Sequence, residues 1–155
     1  MPIVTTRITY HVGSAHEDED SRGLAHLFEH LMFAKTTNYP ERAIYKYVEQ
    51  FGGSTNAFTS FDETTYYAQT PPRKHYQALE IYADGMTDLE LSQDTLDRDK
   101  KVVLEELRVG AQNDPFNRLT LDILAKTMNK HPDSISPLGT EQDDGNATLP
   151  KCLTF

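Results

Sequence analysis

Apolar and polar positions repeat along this chain with two different periods, and each change of period marks an element. Ile3 to Val12 is rich in β-branched residues, with Ile8, Tyr10 and Val12 alternating against Thr9 and His11, which predicts a strand ended by Gly13-Ser14. From Gly23 the period lengthens. Leu24, Leu27, Phe28, Leu31 and Met32 fall on one side of a helix reaching about Lys35. Pro40 opens a second helix, Glu41–Phe51, with Ile44, Tyr47, Val48 and Phe51 at helical spacing and Gly52 as its stop. Two β-rich runs follow, Gly53–Ser60 and Glu63–Thr70, joined through Phe61-Asp62 as an antiparallel hairpin and closed by Pro71-Pro72. Arg73–Met86 is predicted helical, with Tyr76, Leu79, Ile81, Tyr82 and Met86 supplying a broad apolar face. Ser92 starts a long helix running to about Gly110. Asn113-Asp114-Pro115 breaks it, and Phe116–Met128 is helical again, with Leu119, Ile123 and Leu124 on one side. After Lys130 the pattern fades: 143–148 is turn-like, and 149–155 has no clear class. This order predicts an α+β fold, a mostly antiparallel sheet with helices packed on it, forming one domain over 1–155 with an atypical tail at 140–155.

Composition narrows the function. The chain has 155 residues and a net charge of −9, which argues against nucleic acid or an anionic membrane as the main partner. Cys152 is the single cysteine, so neither an internal disulfide nor a zinc site built on cysteine pairs is expected. The sequence shows no run long and apolar enough to span a membrane and no signal-peptide pattern at its start, so a soluble chain of unspecified compartment is expected. The acidic stretch His16-Glu17-Asp18-Glu19-Asp20 lacks the glycine and ligand spacing of a calcium loop. It reads as a solvated loop, with Asp20 or Ser21 capping the helix that follows.

That helix carries the chemistry. Opposite its apolar stripe lie His26, Glu29 and His30. Histidines four apart sit one turn apart on one face, so both imidazoles can close on one metal ion while Glu29 stands beside it as a proton acceptor. The spacing is HxxEH, the inverse of the HExxH arrangement of zinc peptidases. A catalytic zinc site takes three protein ligands and keeps a position open for water, so a third ligand is required from another element. In the 95–110 helix, Leu96, Val102, Val103 and Leu107 define the buried side. Glu106 lies about 50° from its centre and Glu105 about 150° away. Glu106 is therefore the expected ligand, pointing inward, with Asp99 two turns earlier on the same side. A purely structural zinc site would need a fourth protein ligand that no such pattern offers.

Three stretches in order, the HLFEH run His26–His30 between Gly-Leu-Ala and Leu-Met-Phe, Gly52–Thr59, and Asp99–Glu106, resemble the inverzincin peptidases of the insulysin, pitrilysin and mitochondrial processing peptidase family. The resemblance covers 1–130. It implies an α+β peptidase fold, Zn²⁺ held by His26, His30 and Glu106, and Glu29 as catalytic base. It also implies that Asp99, where the family usually has Glu, supports the ligands from behind, and that Asn56 and Ala57 lie on an edge strand that takes a peptide substrate as a further strand. By this likeness the chain is a zinc-dependent endopeptidase acting on short or unfolded peptides. The family further carries a second, similarly folded domain or subunit, so the resemblance implies a half truncated at both ends, with a homologous partner. The rival reading is a non-catalytic or partner-dependent subunit that binds zinc and peptide.

Overall fold

The computed structural model describes residues 2–113, 115–128, 131–134 and 136–155. Strand β1 (Val4–Tyr10) leads through a short 3-10 turn to helix α1 (Leu24–Leu31) and helix α2 (Ala43–Glu49). The hairpin β2 (Ser54–Thr59) and β3 (Thr64–Thr70) follows, then α3 (His75–Thr87) and the long α4 (Gln93–Asn113). Three more helices close the chain, α5 (Pro115–Thr127), α6 (Glu141–Asn146) and α7 (Leu149–Cys152). The strands form one antiparallel sheet in the order β1-β3-β2, with Ala57 opposite Tyr66 and Ile8 opposite Tyr66 on the other side. The α+β expectation stands.

The last ladder pair of the hairpin is Thr59 and Thr64, and beyond it the Ser60 amide donates to the Glu63 carbonyl at 2.8 Å, which leaves Phe61-Asp62 as the link. Helix α2 begins three residues after Pro40, with Arg42 in the left-handed region at its start. At its end Gly52 has φ 65°, and Gly53 passes so close to the carbonyl of Gln69 that a Cβ there would sit 2.1 Å from the oxygen. That pair of glycines turns the chain from helix into strand. Ser92 caps α4, its hydroxyl accepting from the Thr95 amide at 3.2 Å.

Two apolar clusters meet at α1. In one, Tyr66 and Ala68 of the sheet pack with Ile44 and Val48 of α2 and Ala78, Ile81 and Tyr82 of α3. In the other, Leu24, Leu27 and Leu31 of α1 pack against Leu96 and Val103 of α4. Leu27, Leu31 and Leu96 are fully buried, each worth about 1.5–3 kcal/mol of transfer free energy. The stripe read from sequence thus clamps α1 to α4 and leaves the histidine face turned toward Glu106.

Several expectations are corrected. The tail is not classless: α6 and α7 bring Ala147 and Cys152 into the second cluster, and Lys100 Nζ donates to the Ala147 carbonyl at 2.9 Å. Its apolar residues are too sparse to show a period, but a few suffice against a surface already built. On α3 the packed face is Ala78, Ile81, Tyr82 and Gly85, whereas Tyr76, Leu79 and Met86 are exposed. On α5, Leu119 and Ile123 are exposed too. Helical spacing shows that residues share a side; it does not say what covers that side. Asp114, part of the expected break, lies outside the described residues.

Candidate metal centre

Helix α1 starts with Gly23 at φ 79° and no cap of its own. Asp20 and Ser21 do not supply one. Glu17, six residues upstream, folds back so that its two carboxylate oxygens accept from the amides of Gly23 at 2.8 Å and Ala25 at 2.7 Å. Burial raises the pKa of Glu17, with the same two amides working against that rise. A carboxylate on otherwise orphaned first-turn donors fastens the helix immediately before His26.

His26 and His30 face α4 with ring centroids 4.9 Å apart. Glu106 Oε2 lies 3.6 Å from His26 Nε2 and 3.4 Å from His30 Nε2. One ligand atom from each of the three residues falls within 4.8 Å of the other two. Neighbouring ligands on a tetrahedral zinc with bonds of about 2.0–2.1 Å stand about 3.3 Å apart, so the donor set and its spacing fit that ion. Burial, then the neighbouring His30, pulls the pKa of His26 down to about 4, so its imidazole is neutral at pH 7, the form that binds metal. Its Nδ1 is buried without a hydrogen-bond partner among the described residues. Glu106 is not sunk in the interior as the wheel predicted: its side chain is 47% exposed. It reaches the histidines from the rim, which leaves one side of the cluster open.

Glu29, one turn from His26 and beside His30, is half-buried. Thr59 Oγ1, at the end of β2, donates to Glu29 Oε2 at 2.6 Å. Desolvation is the largest influence on Glu29 and raises its pKa; the Thr59 hydrogen bond and His30 oppose it, and Glu106 adds to it. A carboxylate raised in this way is a better proton acceptor near neutral pH.

Asp99 is 5% exposed, but the partners it holds are not the histidines. Arg98 Nε donates to its Oδ1 at 3.0 Å and Arg98 Nη2 to its Oδ2 at 3.3 Å, while Arg98 Nη1 donates to Glu41 at 2.7 Å. Neither His26 nor His30 hydrogen-bonds to Asp99 among the described residues. Asn56 and Ala57 sit on β2, at an edge of the sheet, and line with Glu29, His30 and Glu106 a cavity of about 430 Å³. Sequence reasoning missed Thr59, Glu17, Arg98 and Glu41. Each acts across elements, and none falls in a periodic pattern with its partner.

The α+β scaffold thus sets a His-His-Glu cluster beside its sheet edge. Residues 1–141 match Insulinase (Peptidase family M16), and the chain belongs to that family. It is 35% identical over 153 residues to the zinc protease PqqE of Helicobacter pylori, a match that covers 99% of this chain and 34% of the relative. It is 32% identical over 136 residues to a probable mitochondrial-processing peptidase subunit beta of Arabidopsis thaliana, covering 87% of this chain and 24% of that protein. A crystal structure of a protease from Helicobacter pylori superposes with a TM-score of 0.90 at 34% identity, over 99% of this chain and 37% of the other. The chain therefore spans about a third of the length of the first of these relatives. No helix among the described residues is long and apolar enough to cross a membrane.

Proposed function

We propose that this chain is the metal-bearing part of a zinc-dependent endopeptidase that hydrolyses short or unfolded peptides. The observation that supports the reading is the convergence of His26, His30 and Glu106 with Glu29 beside them. His26, His30 and Glu106 would hold Zn²⁺. When bound, the ion lowers the pKa of a water toward about 7 and polarises a carbonyl. Glu29 takes the proton of the attacking water and passes it to the leaving amine nitrogen. Thr59 holds one oxygen of that carboxylate, which leaves the other to take the proton. The sheet edge at Asn56 and Ala57 pairs with an extended peptide through main-chain hydrogen bonds, which folded proteins cannot offer.

The test is zinc content by atomic spectroscopy, followed by cleavage of an unstructured peptide with and without a chelator. Stoichiometric zinc and chelator-sensitive cleavage are expected, and Glu29→Gln should keep the zinc while losing at least about 100-fold in turnover. Undiminished cleavage by Glu29→Gln would remove the assigned base. A second reading, a partner-dependent subunit that binds zinc and peptide, is supported by the likeness to a probable mitochondrial-processing peptidase subunit beta. Zinc and peptide binding without cleavage until a homologous domain or subunit is added would select it.

A further inference from the structure

The cavity beside the cluster holds more charge than the metal chemistry uses. Glu106 stands against the two histidines, and Glu29 is held by Thr59. Asp99 and Glu41 are both committed to Arg98. Arg42 also lines the cavity, and its guanidinium has neither an ion pair nor a hydrogen bond among the described residues. Its backbone lies at φ 56° and ψ 27°, the left-handed region, which costs a residue with a Cβ about 1 kcal/mol or more. The Arg42 amide donates to the Phe33 carbonyl at 2.9 Å, which holds the chain in that conformation. A glycine would sit there with less strain. The position instead carries an exposed cation on the cavity wall, without a partner among the described residues.

The other walls suit one side chain of a bound peptide. Phe33 and Tyr45 lie with ring centroids 4.9 Å apart and offer apolar surface to an aliphatic stem. Asn56 and Ala57 border the same space, so a strand paired with β2 would present alternate side chains to it. We propose, resting on the peptidase reading, that this cavity receives an acidic side chain, Asp or Glu, from a substrate residue flanking the scissile bond, and that Arg42 is the residue that selects it. A lysine in its place would meet Arg42 while Glu41 is already neutralised by Arg98. A glutamine would fill the space and leave the guanidinium unpaired.

The experiment measures peptide binding to the zinc-loaded full-length protein carrying Glu29→Gln, by fluorescence anisotropy. Unstructured labelled peptides carry a single Glu, Gln or Lys moved through the positions around the cut. At one position the Glu peptide should bind about fivefold more tightly than its Gln counterpart, the scale of a partly exposed ion pair, and the Lys peptide more weakly than both. Adding Arg42→Gln should bring the Glu-to-Gln ratio to about one. Arg42→Gly should do the same while melting no lower than its parent, since the strain is relieved. Equal affinities at every position, or a ratio that survives both substitutions, overturn the assignment. Binding is read without turnover, so the ratio judges Arg42 alone, whereas cleavage of the same peptides by protein with Glu29 intact judges the peptidase reading.

Discussion

Thr59 at the end of β2 donates a 2.6 Å hydrogen bond to the carboxylate of Glu29 on α1, tying the sheet edge to the proposed base beside the histidines. The bond fixes which oxygen of Glu29 is occupied and which is free. A hydrogen bond to a charged group is worth about 1.5–3 kcal/mol. Thr59→Val keeps the shape and removes the donor. It should lower kcat at least about tenfold with zinc content unchanged, and Thr59→Ser should restore most of the loss. Equal kcat in the Val variant, measured beside the parent on one peptide, would show that the bond does not position the base.

The neighbouring pair Glu105 and Glu106 offers an internal control. Glu106 lies within 3.6 Å of both imidazoles, and Glu105 is exposed with no such contact. Glu106→Gln should weaken zinc binding by more than the 10–100-fold that supporting partners contribute, because an anionic ligand itself is lost. Glu105→Gln should leave it unchanged. Competition against a fluorescent zinc chelator gives both constants.

Glu17 caps α1 from a distance, so its loss should act on stability before it acts on chemistry. Glu17→Ala should cost about 1–2 kcal/mol in urea unfolding of the metal-free protein, the range of a lost helix cap. Glu19, two residues on and extended into solvent, should tolerate Ala within about 0.5 kcal/mol. Similar losses at both positions would show that the stretch acts through its summed charge and not through the Gly23 and Ala25 amides.

The two glycines between α2 and β2 differ in why they are glycines. Gly52 needs its left-handed backbone but has open space, so Gly52→Ala should cost about 1–2 kcal/mol. At Gly53 a Cβ would meet the Gln69 carbonyl oxygen at 2.1 Å and Val48 Cγ1 at 2.8 Å, and backbone cannot step aside. Gly53→Ala should cost about 3 kcal/mol or more and loosen the β2–β3 pairing. Thermal unfolding, with amide exchange at Tyr67 and Ala68, reads both effects.

Much of the site followed from local geometry. The 3.6-residue period alone puts His26, Glu29 and His30 on one face and Leu24, Leu27 and Leu31 on the other. Intrahelical hydrogen bonds set that angle whatever the rest of the chain does. The same period chose Glu106 over Glu105, and the β-branched runs marked all three strands to within a few residues.

Contacts across elements are decided by how those elements pack, and no spacing along the chain encodes them. Tertiary structure alone left Glu106 at the rim, joined Arg98 to Glu41, and carried Glu17 back to the α1 amides. It buried Cys152 from a tail with no discernible pattern and left the apolar side of α5 facing outward. Residue order determined which side chains travel together on one helix or strand; the packing of α1 between the sheet and α4 decided which of those groups meet, because each such meeting depends on the positions of two separately formed elements.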